Sequence, residues 1–109
     1  MIIEKSILLA GYGWFKGIPE GEINCAEQIA CALDGQTLEA QLENGDTVRA
    51  KIHSVIAPVV WNGAFAPVQS VADALRPDVI LGIGTDARAG GLRPEPYGVN
   101  WRRGTDDPP

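Results

Sequence analysis

Few side chains in this 109-residue sequence could serve as nucleophile, base or metal ligand: two cysteines, Cys25 and Cys31, and one histidine, His53. Cys25 falls in the first turn of a predicted helix, where the macrodipole favours negative charge and so a reactive thiol. Cys31 projects about 240° around the same helix at 3.6 residues per turn, so the two thiols neither bond each other nor readily share a metal. Both read as small buried or half-buried fillers. His53 stands in an alternating segment, on the side that also carries Thr47, Arg49 and Lys51. It reads as a solvated strand histidine and not as a base for Cys25. With one histidine and no Cys/His cluster, no transition-metal site is expected.

Glycine-rich loops are the second chemical feature. Gly11-Tyr12-Gly13-Trp14-Phe15-Lys16-Gly17 follows one apolar run, and a loop over residues 84–91 follows another. A dinucleotide fingerprint fits the first loop poorly. The last glycine comes one residue late, and Trp14 and Phe15 occupy the stretch where backbone must approach a pyrophosphate. No acidic residue ends a second strand at the expected distance. No cofactor is expected.

These loops need elements to position them. Residues 6–11 (SILLAG) have the unbroken apolar character of a buried parallel strand. A helix begins at Asn24, a good N-cap, with Glu27 at the capping-box position. Ala26, Ile29, Ala30 and Leu33 form its inward face, and Asp34-Gly35 ends it. A polar hairpin follows, with Asn44-Gly45 as a two-residue turn between alternating segments at 38–42 and 47–55. In the second segment Val48, Ala50, Ile52 and Ser54 share the core side and the other side is solvated. The pattern predicts a second helix over 64–75 with Phe65, Val68, Ala72 and Leu75 inward, Pro67 being tolerated in its first turn. Residues 79–84 (VILGIG) form another buried strand. Residues 92–109 hold four prolines and show no period.

This order predicts an α/β fold, a three-layer α/β/α sandwich around a mostly parallel sheet with a polar hairpin. The two glycine loops should open on one sheet edge, where open α/β sheets bind ligands. Hydrophobic residues make up 45% and charged residues 21%, which suits one globular domain over 1–109 and argues against wholesale disorder. The net charge is −5 and the only basic cluster, Arg102-Arg103, stands beside Asp106-Asp107. Neither nucleic acid nor an anionic membrane surface is therefore an expected partner. Glu4, Lys5 and Ser6 interrupt the N-terminal apolar run, so no signal-peptide core forms. Two cysteines in such a chain indicate a reducing compartment, and the expected location is cytoplasmic.

The order of these pieces resembles the pyroglutamyl-peptidase I (pyrrolidone-carboxylate peptidase) family of cysteine peptidases. The first glycine loop resembles that family's Gly-Phe-x-Pro-Phe-Gly loop, and Asn24-Cys25-Ala26 stands where it has Asn-Pro-Ser/Thr at a helix start. Ala57-Pro58-Val59-Val60-Trp61 is similar to its Leu-Pro-Val-x-Phe strand end, and residues 77–84 to its Pro-Asp-Val-x-Leu-x-x-Gly strand. Counting on from Gly84 without a gap brings Pro94-Glu95 and Asn100 into register with its Pro-Glu-x-x-x-x-Asn segment. The departures are Cys25-Ala26 for Pro-Ser, residues 85–89 for a Gln-Ala-Gly-Gly-Arg loop, and Pro96-Tyr97-Gly98 for Arg-Val-Ala.

The resemblance covers the N-terminal half of such a domain, so the expected fold is incomplete. The family's catalytic cysteine and histidine lie in a second half, and the chain alone is expected to be inactive. A complete enzyme of this kind attacks the pyroglutamyl carbonyl with a thiolate and then hydrolyses the acyl-enzyme. By the resemblance, the substrate is a small peptide with N-terminal pyroglutamate. Tyr12, Phe15, Asn24 and Thr85 are the substrate-binding residues, with aromatic walls around an uncharged lactam and main-chain hydrogen bonds at Thr85. Glu95 is the catalytic acid that orients the histidine. Two alternatives stay open: Tyr12, Trp14 and Phe15 simply cover the sheet's upper edge, and Glu95 is a solvated loop charge. For the chain as a whole the alternatives are a non-catalytic small-molecule or peptide-binding module that retains the pocket, and a fragment that self-associates or pairs with a complementing half.

Overall fold

The computed structural model describes residues 1–16, 18–60, 63–85 and Pro94. Gly17, Trp61, the second glycine loop beyond Thr85, Glu95 and Asn100 lie outside the described residues. The elements run β1 (Ile2–Tyr12), α1 (Cys25–Leu33), β2 (Thr37–Gln41), β3 (Thr47–Ala57), α2 (Phe65–Leu75) and β4 (Val79–Ile83). They build a four-stranded sheet in the order β2-β3-β1-β4. β1 pairs parallel with β3 along its whole length, from Ile2↔Thr47 to Tyr12↔Ala57, and with β4 from Ile7↔Val79 to Gly11↔Ile83. β2 is antiparallel to β3.

The chain leaves β1 in one direction across the sheet, to β3, and returns past β1 in the other, to β4. Crossovers of one hand that run in opposite directions put their helices on opposite faces. Accordingly α1 packs on β1 and β3 from one side and α2 on β3 from the other. The two buried clusters separate in the same way. Leu9, Ala30 and Ile52 lie under α1 with Ile7, Leu33, Ile56 and Ile83 around them, and Leu8, Ala10, Ala57 and Val68 lie under α2 with Val55, Val71 and Ala72. Neighbouring strand residues thus feed both cores, which explains why residues 6–11 read as continuously apolar. The α/β class and the three layers are as expected.

Several local expectations need correction. β1 extends four residues further toward the N-terminus than its apolar run, because backbone pairing with β3 carries it back to Ile2. Ile29, Phe65 and Leu75 are exposed, and Val71 replaces the outer pair on the inward face of α2. Each helix meets the core along a narrow stripe, Ala26, Ala30 and Leu33 on α1 and Val68, Val71 and Ala72 on α2. The second face of β3 is not solvated throughout, since Val55 and Ala57 are covered by α2 and His53 is half-buried beside them. Cys25 and Cys31 are both exposed, so neither fills the core.

The hairpin turn also differs. Leu42 N–H donates to Asp46 O at 2.8 Å and Gly45 N–H to Leu42 O at 3.0 Å, leaving the three residues Glu43-Asn44-Gly45 in the loop. This is a type I turn closed by a glycine bulge, with Gly45 at φ +91°. Asn44 Oδ1 accepts from Asp46 N–H at 3.0 Å and holds the turn. Because a Cβ is disfavoured at this φ, Gly45→Ala should cost about 1–2 kcal/mol. The check is a lowered urea midpoint at unchanged slope. An unchanged midpoint would rule out the left-handed turn.

β2 is exposed throughout, as a polar hairpin should be. Across it Arg49 Nε contacts Glu39 Oε1 at 2.8 Å, and Arg49 Nη1 reaches Glu4 Oε1 at 3.4 Å. The hydrogen bond that Arg49 donates to Glu39, and then the charges of Glu39 and Glu4, raise the Arg49 pKa. These pairs are solvent-exposed, so salt screens them and they add little to stability. At the other edge Val79, Ile80 and Leu81 of β4 are each about half exposed, at 52, 53 and 52%. The open sheet therefore ends in an apolar strand, consistent with an incomplete α/β fold. Among the described residues no helix is long and apolar enough to cross a membrane.

Candidate functional site

Strand direction places the candidate site. β1 and β4 are adjacent and parallel, so the loops after Tyr12 and after Ile83 rise from the same sheet edge. The chain's route across the sheet reverses between these two strands, with α1 on one face and α2 on the other. This is a topological switch point, where a crevice opens beyond the carboxyl ends of the strands. A shallow depression between β2 and β3, lined by Glu39, Ala40, Gln41 and Thr47, lies toward the other end of the sheet.

The rim is built on close backbone approach. Gly13 N–H extends the β1–β3 pairing to Ala57 O at 3.0 Å. A Cβ on Gly11 would sit 2.7 Å from Ala26 O and 2.9 Å from the Ala30 Cβ, so α1 rests almost directly on β1. That contact brings the start of α1 up to the crevice. Tyr12 is partly exposed and its ring lies over Gly84, with Cδ2 3.4 Å from where a Cβ on Gly84 would stand. Phe15 is half-buried, Trp14 is exposed, and the Phe15 carbonyl accepts from Ile18 N–H at 2.9 Å.

Asn24 is the N-cap of α1 and only 2% exposed. Its Oδ1 accepts from Ala26 N–H at 3.0 Å, and its Nδ2 donates to the Gly13 carbonyl at 3.0 Å. The Thr85 hydroxyl donates to the same Oδ1, and Cys25 Sγ lies 3.1 Å from Thr85 Oγ1. The cap bond goes to Ala26, and Glu27 instead brings its Oε1 to 3.4 Å from the position of a Cβ on Gly13.

Of the sequence-predicted site residues, Tyr12, Phe15, Asn24 and Thr85 thus stand on the loops and helix start of one rim. Glu95 lies outside the described residues. His53 is in the body of β3, opposite Leu8 in register, and four residues short of the strand's rim end. What the sequence reading missed is the linkage of Asn24 to Gly13 and Thr85. The N-cap pattern identified the residue, but no local signal announces partners 11 and 61 positions away. Among the described residues no group of three or more His, Cys, Asp or Glu side chains could hold a metal ion.

A largely parallel open sheet with a helix on each face and a loop-lined switch point defines the class, an open α/β sandwich. Within that class the fold is similar to those of pyroglutamyl peptidases. Pyroglutamyl peptidase I from Bacillus amyloliquefaciens superimposes with a TM-score of 0.58 at 23% identity, covering 77% of this chain and 34% of that one. A mutant pyrrolidone carboxyl peptidase from the hyperthermophile Pyrococcus furiosus gives a TM-score of 0.55 at 25% identity, covering 74% and 33%. The chain therefore spans about a third of the length of the solved structures it matches. No family model and no curated protein matches the sequence. The family resemblance read from the motifs holds in three dimensions at the level of the fold.

Proposed function

We propose that residues 1–109 form one domain, the N-terminal part of a pyroglutamyl-peptidase-like fold, which contributes the lactam-binding pocket and is not catalytic by itself. The observation that carries this reading is the switch-point rim, on which the two motif-bearing loops meet in a fold shared with pyroglutamyl peptidases. Tyr12 and Phe15 flank the pyroglutamyl ring of a small peptide, and the main chain at Thr85 bonds the lactam. Asn24, the N-cap of α1, completes the set at the same rim. A compact uncharged ring suits such a place, since aromatic surface covers its methylenes while backbone groups satisfy its N–H and C=O.

Glu95 orients a catalytic histidine supplied by a second polypeptide, which also brings the nucleophile. The exposed apolar residues of β4 support assembly with that complementing half or, failing that, self-association. Two free thiols suit the cytoplasm. The test is a fluorogenic pyroglutamyl-amide assay on the purified chain, paired with light scattering. No turnover is expected, with particles larger than a monomer or a gain of activity on adding a complementing half. Turnover that Cys25→Ser abolishes would overturn the non-catalytic reading, and a soluble, strictly monomeric chain would remove the case for assembly.

A further inference from the structure

Asn24 has the most constrained polar side chain among the described residues, and its bonds have only one consistent direction. The Gly13 carbonyl can only accept, so the group facing it must be the amide NH2. The Ala26 N–H can only donate, so the group facing it must be the amide oxygen. With Oδ1 fixed as an acceptor, the single proton of the Thr85 hydroxyl is committed to Asn24. The Cys25 S–H then has to be the donor in its contact with Thr85 Oγ1. A one-way chain results, from Cys25 through Thr85 to Asn24, with Asn24 passing its own donor on to Gly13. Through Thr85 and Gly13 it ties the loop that follows β4 to the loop that follows β1, with Asn24 between them.

We infer that Asn24 is a positioning residue: it acts on a ligand through Thr85 and Gly13, by fixing the spacing of the two loops across the crevice, and does not touch the ligand itself. Burial supports this, because a side chain 2% exposed with Oδ1 doubly bonded and Nδ2 already engaged has little left to offer. Among the described residues the β4 loop meets the start of α1 through the Thr85 hydroxyl, which contacts both Asn24 Oδ1 and Cys25 Sγ. The inference rests on the lactam-pocket reading only where a ligand is concerned.

Two variants separate the bonds. Asn24→Asp keeps a helix cap and an acceptor for Thr85 but turns an oxygen toward the Gly13 carbonyl. Thr85→Val keeps the β-branched shape and removes the hydroxyl. The full chain, labelled with 15N, is titrated with L-pyroglutamamide and followed by NMR. In the free wild type the Asn24 side-chain NH2 should resist solvent exchange, and Thr85→Val should shift its resonances and those of the Gly13 amide. Both variants should bind the probe roughly tenfold more weakly, the effect of about one hydrogen bond, while Thr85→Val keeps its melting temperature. Contacts from the probe to the Asn24 NH2 protons, or Asn24 signals indifferent to Thr85→Val, would overturn the inference. If the wild type ignores the probe, the lactam reading falls, and the ligand-free exchange and shifts alone decide whether Asn24 fixes the loops.

Discussion

Gly11→Ala should lower the stability of the chain by about 2–3 kcal/mol and lower its melting temperature by roughly 10 °C or more. The cause is local and severe. The new Cβ would stand 2.7 Å from the carbonyl oxygen of Ala26 and 2.9 Å from the Ala30 Cβ. A backbone oxygen cannot rotate aside, so α1 as a whole must move off β1. Moving α1 also pulls Asn24 away from Gly13 and Thr85, because the cap rides on the helix. The substitution should therefore open the rim as well as weaken the fold, so that protection falls further at the Asn24 NH2 than the global destabilisation lowers it in β3. Calorimetry and amide exchange check both parts. A Gly11→Ala protein that melts with the wild type would mean that α1 does not lie as close to β1 as described.

Leu8→Ala should be the most damaging core truncation, at about 3–5 kcal/mol. Leu8 is 0% exposed and sits under α2 with Ala10, Ala57 and Val68. Its neighbours are alanines and valines, too short to collapse into the space it leaves. Small domains hold stabilities of about 5–15 kcal/mol, so the loss could consume most of what is available. The same change at Leu38, which is 52% exposed on the hairpin, should cost less than about 0.5 kcal/mol. Urea titrations of the pair provide the comparison, and equal midpoints would show that the α2 side of the sheet is not the packed layer described.

Much of this architecture was legible because it is local. The apolar run at 6–11 reads as a strand covered on both faces and is one, that at 79–84 is a strand but an exposed edge strand instead of a buried one, and Asn24 and Gly35 punctuate α1 through cap geometry and a left-handed φ. The alternation along 47–55 named the right residues for each face of β3 but not what covers them. Whether a face is wet depends on where α2 lands, and that is decided by the crossover from β3 to β4 and not by any window of sequence. Ile29, Phe65 and Leu75 were misread for the same reason. Helical periodicity marks an apolar stripe, while the width of the stripe that is buried depends on how much sheet lies beneath it.

For the site, the sequence by itself determined the parts: two glycine loops at strand ends, an aromatic pair, a capping asparagine, and motifs in the order of a pyroglutamyl-peptidase-like domain. That both loops share one edge was also expected from the element order, but only the tertiary structure decided that α1 approaches within a glycine's breadth of β1 and that Asn24 joins residues 13 and 85. The reason is the range of the forces involved. Caps, turns and periodicity act within a few residues and leave their mark in composition, whereas strand order and helix seating arise from pairings separated by 45 to 72 positions, which no local pattern encodes.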